Sequence, residues 1–116
     1  LGQLLLQRGK WNGRQLVSSQ WVDTMTSNLV ESRPKSAFAT NLDPSELEDP
    51  ANDHSQGYGY YVWQGKGNTY RLEGLQGRHV IVCPSNNIVF VITSRTNMSQ
   101  GYLDIIWKHF SNLIAK

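Results

Sequence analysis

The chain has 116 residues, of which 39% are hydrophobic and 17% are charged, and its formal net charge is +2. This length allows one domain with a buried core. The small net charge excludes the strongly basic surface that nucleic-acid binding requires, and no apolar run approaches the roughly 20 residues that span a bilayer. The sequence therefore predicts neither a nucleic-acid partner nor a membrane segment.

The chain opens with a pattern typical of the end of a helix. In residues 1–8 the leucines have the spacing of an amphipathic helix, and Gly9 is suited to the left-handed residue that follows a helix. Asn12-Gly13 predicts a tight turn, because both residues tolerate a positive φ. No capping residue precedes Leu1, so we expect the chain to be a segment of a longer protein.

A second helix is predicted to begin at Ser18 or Ser19, since serine is a preferred N-cap. Trp21, Val22 and Met25 are predicted to lie on one face of this helix.

Residues 27–56 are predicted to form a long variable loop, because they are rich in Pro, Ser, Asp and Asn. Five acidic residues lie close together in the second half of this region, and we expect them to form a solvated loop. They are Asp43, Glu46, Glu48, Asp49 and Asp53.

The second half of the chain predicts an antiparallel sheet and a final helix. Residues 58–63 and 69–72 have the composition of strands, and residues 79–83 and 88–94 flank a polar turn, which indicates a hairpin. The run Ile88–Ile92 is continuously apolar, which predicts a central strand covered on both faces. A helix is predicted from about residue 100 to 115. The resulting fold class is α+β, with helices packed on an antiparallel sheet.

The segment from Glu73 to Gly77 is the strongest candidate for a site. Gly74 and Gly77 lack a Cβ, so another backbone or a ligand can approach closely. Backbone amides are the usual oxyanion donors, and Leu75 lies between these glycines. Glu73 has two interpretations: it lines a cleft, or it forms a salt bridge with Arg71 or Arg78.

Other reactive residue types are interpreted as structural. Ser32-x-x-Lys35 matches the spacing of an activated serine, but Pro34 stands inside it, and we attribute the match to chance. Cys83 lies in an apolar strand and is predicted to be a buried, inert thiol. The three histidines, with His79 expected to face a cleft or solvent, have no zinc-ligand spacing, so neither a metal nor a cofactor is predicted. They are His54, His79 and His109.

Segments spread over nearly the whole chain outside residues 28–56 resemble one family in their order and spacing. The segments are residues 1–18 with Trp21-Val22, residues 57–63, residues 74–78 and residues 82–94. Together they resemble the C-terminal part of the β-lactamase-related serine hydrolases. This family includes class C β-lactamases, penicillin-binding proteins, esterases and 6-aminohexanoate-dimer hydrolases.

The resemblance implies the C-terminal part of a β-lactamase/transpeptidase-like fold and a parent enzyme that cleaves small amide or ester substrates through an acyl-enzyme. The Leu75 amide would be half of an oxyanion hole, and four neighbours would contact the substrate. The nucleophilic serine would lie on a missing N-terminal segment, so this chain alone is expected to be inactive. The four expected substrate-contacting residues are Glu73, Gly74, Gln76 and Gly77.

Two alternatives remain open. Many family members carry Lys-Thr-Gly or His-x-Gly at the cleft strand, and this chain has Glu73–Gly77 instead. That difference leaves room for a non-catalytic binding module that kept the fold. The other alternative is an unrelated α+β interaction domain that offers a strand edge to a partner. The compartment stays undecided, with the resemblance favouring a periplasmic or extracytoplasmic location.

Overall fold

The computed structural model describes residues 1–30 and 52–114, which form an α+β structure with two antiparallel sheets. The expected α+β class is thus confirmed. The helices are α1 (Gly2–Leu6), α2 (Ser19–Met25) and α3 (Ser99–Ile114). The strands are β1 (Lys10–Trp11), β2 (Arg14–Gln15), β3 (Trp63–Gln64), β4 (Tyr70–Gly74), β5 (Arg78–Cys83) and β6 (Ile88–Ile92). None of the helices in these residues has the length and apolar character needed to cross a membrane.

The N-terminal turn and the second helix form as predicted. Asn12 and Gly13 have φ values of 47° and 76° and join β1 to β2. Ser18 Oγ accepts a hydrogen bond from the Trp21 amide at 3.1 Å and caps α2. Val22 is buried, whereas Trp21 is exposed and its ring stacks on Tyr60 at 5.5 Å between centroids.

The larger sheet has the strand order β3-β4-β5-β6, and side chains alternate between its two faces. One face packs against α1 and α2, and its buried cluster comprises Leu5, Val22, Val62, Tyr70 and Val82. The other face packs against α3, and its buried cluster comprises Ile81, Cys83, Leu103 and Ile106. Each face of the sheet therefore has a core of its own. Burial raises the pKa of the Cys83 thiol to about 11, as expected for an inert cysteine.

The predicted hairpin is confirmed, but the position of its second strand was wrong. β5 pairs with β6 from His79↔Ile92 to Cys83↔Ile88. β6 is the edge strand of the described sheet, not a central one. Its continuous apolar run has a different cause: Val89 packs in the α1 cluster, and Phe90 packs in the α3 cluster. Helices therefore pack on both faces of β6, although within the described residues only one edge of β6 is paired with another strand.

The predicted strand over residues 58–63 is reduced to β3 and isolated bridges. The chain turns back at this point, because the Gly59 amide donates to the Val62 carbonyl at 2.7 Å and Tyr61 has a φ of 58°. Tyr58 then pairs across the turn with Trp63. A left-handed residue interrupts the extended backbone that the composition predicts. Most of the predicted 27–56 loop, and with it Ser32 and Lys35, lies outside the described residues.

Candidate functional site

The turn between β4 and β5 forms the mouth of the predicted site. The ladder between these strands ends at the pair Gly74↔Arg78, so residues 75–77 lie outside it. Gln76 and Gly77 have φ values of 66° and 76°, which bend the backbone sharply. The Leu75 side chain is 86% exposed. The backbone of Leu75 therefore stands at the end of the hairpin, beyond the paired strands.

The segment after β6 holds this turn in place. The Gln76 carbonyl accepts from the Thr96 amide at 3.0 Å, and the Gly77 carbonyl accepts from Ser94 Oγ. A Cβ on Gly77 would lie 2.6 Å from Thr96 Cγ2, so the close approach at this glycine is made by the protein itself. At Gly74 a Cβ would make only ordinary van der Waals contact, with Arg78 at 3.5 Å. The two glycines thus have different surroundings.

An exposed cation lies beside the turn. Arg78 is paired across the strands with Gly74, and its Nη1 donates to the Leu75 carbonyl at 3.2 Å. The guanidinium therefore stands at the same end of the hairpin as the Leu75 backbone. Arg78 itself is exposed, so the guanidinium adds a positive charge to the surface of the mouth.

Behind the mouth, Glu73 belongs to a charged network on the α3 face. Arg71 Nε donates to Glu73 Oε2 at 2.9 Å, and His54 Nε2 lies 3.1 Å from Glu73 Oε1. Arg71 Nη1 also donates to the carbonyls of Asp53 and Gln64 at 3.2 and 3.1 Å. Of the two interpretations of Glu73, the structure supports the salt bridge with Arg71.

The environment of Glu73 favours its ionised form. Burial opposes ionisation, but the hydrogen bond with His54 and the charge of Arg71 outweigh it and lower the pKa of Glu73 to about 2. Glu73 is therefore a structural anion at neutral pH. An acid this strong is a poor proton donor or acceptor for catalysis near pH 7.

His79 lies in the same network, and its predicted exposure is wrong. Only 1% of the residue is exposed, and its Nδ1 lies 3.9 Å from Glu73 Oε2. Within residues 1–30 and 52–114, both ring nitrogens of His79 and Arg71 Nη2 are buried and have no hydrogen-bond partner. Burial lowers the pKa of His79, and the negative charge of Glu73 opposes this effect without reversing it. The environment of His79 therefore favours the neutral imidazole.

Asp53 ties the loop before β3 to α3. Its carboxylate accepts from Trp107 Nε1 at 2.8 Å and from Gln100 Nε2 at 2.7 Å, and Lys66 Nζ lies 3.7 Å away. Asp53 is 0% exposed, so its predicted exposure in a solvated loop is wrong. The other four residues of that acidic run lie outside the described part of the chain.

The sequence predicted a salt bridge between Glu73 and Arg71 as one interpretation, but not the rest of the cluster. Arg71 and Glu73 are two residues apart on one strand, so their side chains point to the same face. His79 is the cross-strand partner of Glu73. The predicted hairpin joined β5 to β6, so it carried no information on this pairing between β4 and β5. The contact between Asp53 and Trp107, residues 54 positions apart, had no local signal.

The charged cluster does not form a metal site. Within residues 1–30 and 52–114, no group of three or more His, Cys, Asp or Glu side chains is arranged to hold a metal ion. The cluster instead fixes the end of β4, from which the turn projects. The predicted roles of Glu73, Gly74, Leu75, Gln76 and Gly77 toward a substrate remain predictions.

Comparisons with known proteins do not place the chain in a family. No family model matches the sequence. No curated protein matches it either.

Proposed function

We propose that this chain is the C-terminal portion of a β-lactamase-like serine hydrolase that cleaves amide or ester bonds through an acyl-enzyme. The observation that carries the proposal is the turn at residues 75–77, which lies outside the β4–β5 ladder with Leu75 exposed. Because Leu75 lies beyond the last pair of the ladder, its amide takes no part in the pairing of β4 with β5. The α+β arrangement, with helices on both faces of an antiparallel sheet, is compatible with the β-lactamase-like fold.

In this proposal the Leu75 amide donates a hydrogen bond to the oxygen of the scissile carbonyl. Negative charge grows on that oxygen as the serine attacks, and a fixed N–H stabilises it more in the transition state than in the ground state. The amide of the serine, carried by a missing N-terminal segment, is the second donor. The exposed position of Leu75, outside the β4–β5 ladder, lets a substrate approach this backbone.

The surrounding residues act by positioning this amide. Thr96 and Ser94 bind the carbonyls of Gln76 and Gly77, and Arg71 and His54 hold Glu73 at the end of β4. Oxyanion donors are effective only when they are fixed before the reaction, because reorganisation during the reaction costs free energy. Both sides of the turn are therefore held by contacts to other parts of the chain.

The test is covalent labelling of the intact parent protein with a fluorophosphonate, followed by peptide mass spectrometry. We expect one labelled serine, located upstream of residue 1, and no turnover of nitrocefin or p-nitrophenyl acetate by this chain alone. Labelling of a serine within residues 1–116, or turnover by the isolated chain that is lost in Ser32→Ala, would contradict the proposal.

One observation favours a second candidate, a binding module that kept the fold without the chemistry. The carboxylate nearest the turn, that of Glu73, is bound by Arg71 and His54, so it offers no acid or base to a substrate. The upstream sequence separates the two candidates. Ser-x-x-Lys and Tyr-x-Asn motifs there favour the hydrolase, and their absence favours the binding module.

A further inference from the structure

The turn between β4 and β5 carries positive charge that no nearby acid balances. No Asp or Glu occurs between Glu73 and Asp104, a stretch that contains the whole turn and the segment packed on it. The arginines of this stretch are Arg78 and Arg95. Neither forms an ion pair within residues 1–30 and 52–114. The mouth is therefore a cationic part of the surface.

Glu73, the acid closest in sequence to the turn, does not neutralise Arg78, because the two side chains lie on opposite faces of the sheet. Val80 packs in the α1 cluster, and the alternation of side chains along β5 places Arg78 on that same face. Glu73 lies on the α3 face, where its carboxylate is already bound by Arg71. The charge of Arg78 is thus left for an acceptor outside the sheet.

Contacts with Gly74 and Leu75 position the guanidinium of Arg78. Gly74 is the cross-strand partner of Arg78, and a Cβ on this glycine would lie 3.5 Å from Arg78 Cβ and 3.9 Å from its Cδ. The arginine stem therefore lies alongside Gly74, and its Nη1 donates to the Leu75 carbonyl at 3.2 Å. Arg78 makes no other side-chain hydrogen bond in the described part of the chain. Most N–H donors of the guanidinium are thus left for another acceptor.

Arg95 adds a second charge to the same end of the molecule. It lies between Ser94 and Thr96, which bind the carbonyls of Gly77 and Gln76, and it is exposed. Neighbouring charges of one sign produce a field that raises the local concentration of ions of the opposite sign. The two arginines together therefore favour an anion at the mouth.

We propose that the site prefers amide or ester substrates that carry a carboxylate a few bonds from the scissile group, and that Arg78 determines this preference. The inference rests on the proposed function, in which the Leu75 N–H binds the scissile carbonyl. A substrate held there lies next to the guanidinium, because Arg78 contacts the carbonyl of the same residue. A guanidinium binds a carboxylate through two parallel N–H donors, which adds geometric specificity to the attraction of opposite charges. Arg95 contributes to the attraction at longer range.

The test compares two esters of one acyl chain in the intact parent protein. The mono-p-nitrophenyl ester of adipic acid is an anion at neutral pH, and its methyl ester is neutral. We expect kcat/KM to be about 10-fold higher for the anion at low salt, as hydrogen bonds to a charged group allow. The preference should shrink as salt rises from about 0.01 M to about 1 M, because ions screen exposed charges. Arg78→Gln should remove most of the preference, and Arg78→Lys, which keeps the charge, should retain part of it.

Arg14→Gln is the matched control, because Arg14 is also an exposed arginine but lies on β2, outside the mouth. It should keep the wild-type ratio of the two kcat/KM values. Equal values for the two esters, or a ratio that Arg78→Gln leaves unchanged, would overturn the inference while the hydrolysis itself supports the proposed function. Hydrolysis of neither ester would contradict the proposed function, and the preference for a carboxylate would fall with it.

Discussion

Arg71 is 1% exposed, and its charge is neutralised at close range by Glu73. A buried ion pair gives a net benefit only when hydrogen bonds satisfy both ions, since desolvation of each charge costs several kcal/mol. Here two backbone carbonyls accept from Arg71, and His54 contacts the second oxygen of Glu73. At the scale of single residues, removal of either Arg71 or Glu73 should therefore lower stability by more than the pair itself contributes. The remaining charge would be buried without its partner.

The first prediction concerns Glu73→Gln. The pKa of Glu73 is about 2, below its ordinary value of 4.5, so its contribution to stability is complete above pH 4.5 and is lost as the pH falls toward 2. A shift of this size corresponds to about 3 kcal/mol. We expect the variant to be less stable than the wild type by roughly this amount at pH 7. The difference should vanish near pH 2 in urea unfolding experiments.

Asp23→Asn is the control for this prediction. Asp23 also pairs with an arginine, Arg8, but both side chains are exposed, so screening by solvent leaves little stabilisation to lose. Equal stability of the wild type and Glu73→Gln at pH 7 would contradict the network described here.

The second prediction concerns Asp53→Asn. The carboxylate accepts from Trp107 and Gln100, and an amide at this position places an N–H₂ group where a second acceptor is needed. We expect the free energy of unfolding to fall by about 1–3 kcal/mol, the cost of an unsatisfied buried polar group. The Trp107 indole N–H resonance should also shift in ¹⁵N spectra.

Asp104→Asn provides a close comparison for Asp53→Asn. Asp104 accepts from the same Gln100 side chain at 2.9 Å, but it is exposed, so its replacement should change stability little. Equal effects of the two substitutions would show that burial of Asp53 contributes nothing.

At the scale of elements, the β4–β5 hairpin depends on its two glycines in different ways. Gly77 has a φ of 76°, and Thr96 and Ser94 occupy the space that a side chain would need. Gly74 has neither constraint, since a Cβ there makes only ordinary contacts with Arg78. The turn is thus closely packed at its Gly77 end, whereas its Gly74 end has room for a methyl group.

The third prediction compares Gly77→Ala with Gly74→Ala. Gly77→Ala should lower the thermal unfolding temperature by several degrees, because the methyl group displaces Thr96 and the backbone is strained. Gly74→Ala should unfold close to the wild-type temperature. The reverse order, or equal temperatures, would contradict the described geometry of the turn.

Elements with local patterns were predictable from the sequence, and long-range contacts were not. The β5–β6 hairpin, the Ser18 cap and the C-terminal helix follow from composition and spacing within a few residues. The exposed position of Trp21 depends on Tyr60, far along the chain. A positive φ at Tyr61 breaks a segment with strand composition, and a large aromatic residue gives no warning of this conformation.

At the scale of the whole molecule, the predicted site was only partly accessible to sequence reasoning. The glycines marked residues 73–77 as a candidate site before a strand, but the pairing of β4 with β5 that makes residues 75–77 a turn was not predicted. The burial of Asp53 depends on α3, because Gln100 and Trp107 of that helix donate hydrogen bonds to its carboxylate. A linear pattern of charges does not encode which of them a distant helix will cover.

The turn that carries Leu75 lies between β4 and β5, beyond the last pair of their ladder. The central claim concerns the turn alone, and it assigns the chemistry to one backbone N–H group.

The most direct measurement compares Leu75→Pro and Leu75→Ala in the intact parent protein, with p-nitrophenyl acetate as substrate. Leu75 has a negative φ, as proline requires, and proline removes the N–H, whereas alanine removes only the side chain. We expect Leu75→Pro to lower kcat by about 10²–10³-fold and Leu75→Ala to retain activity, with both variants folded by circular dichroism. Full turnover by a folded Leu75→Pro variant would contradict the account.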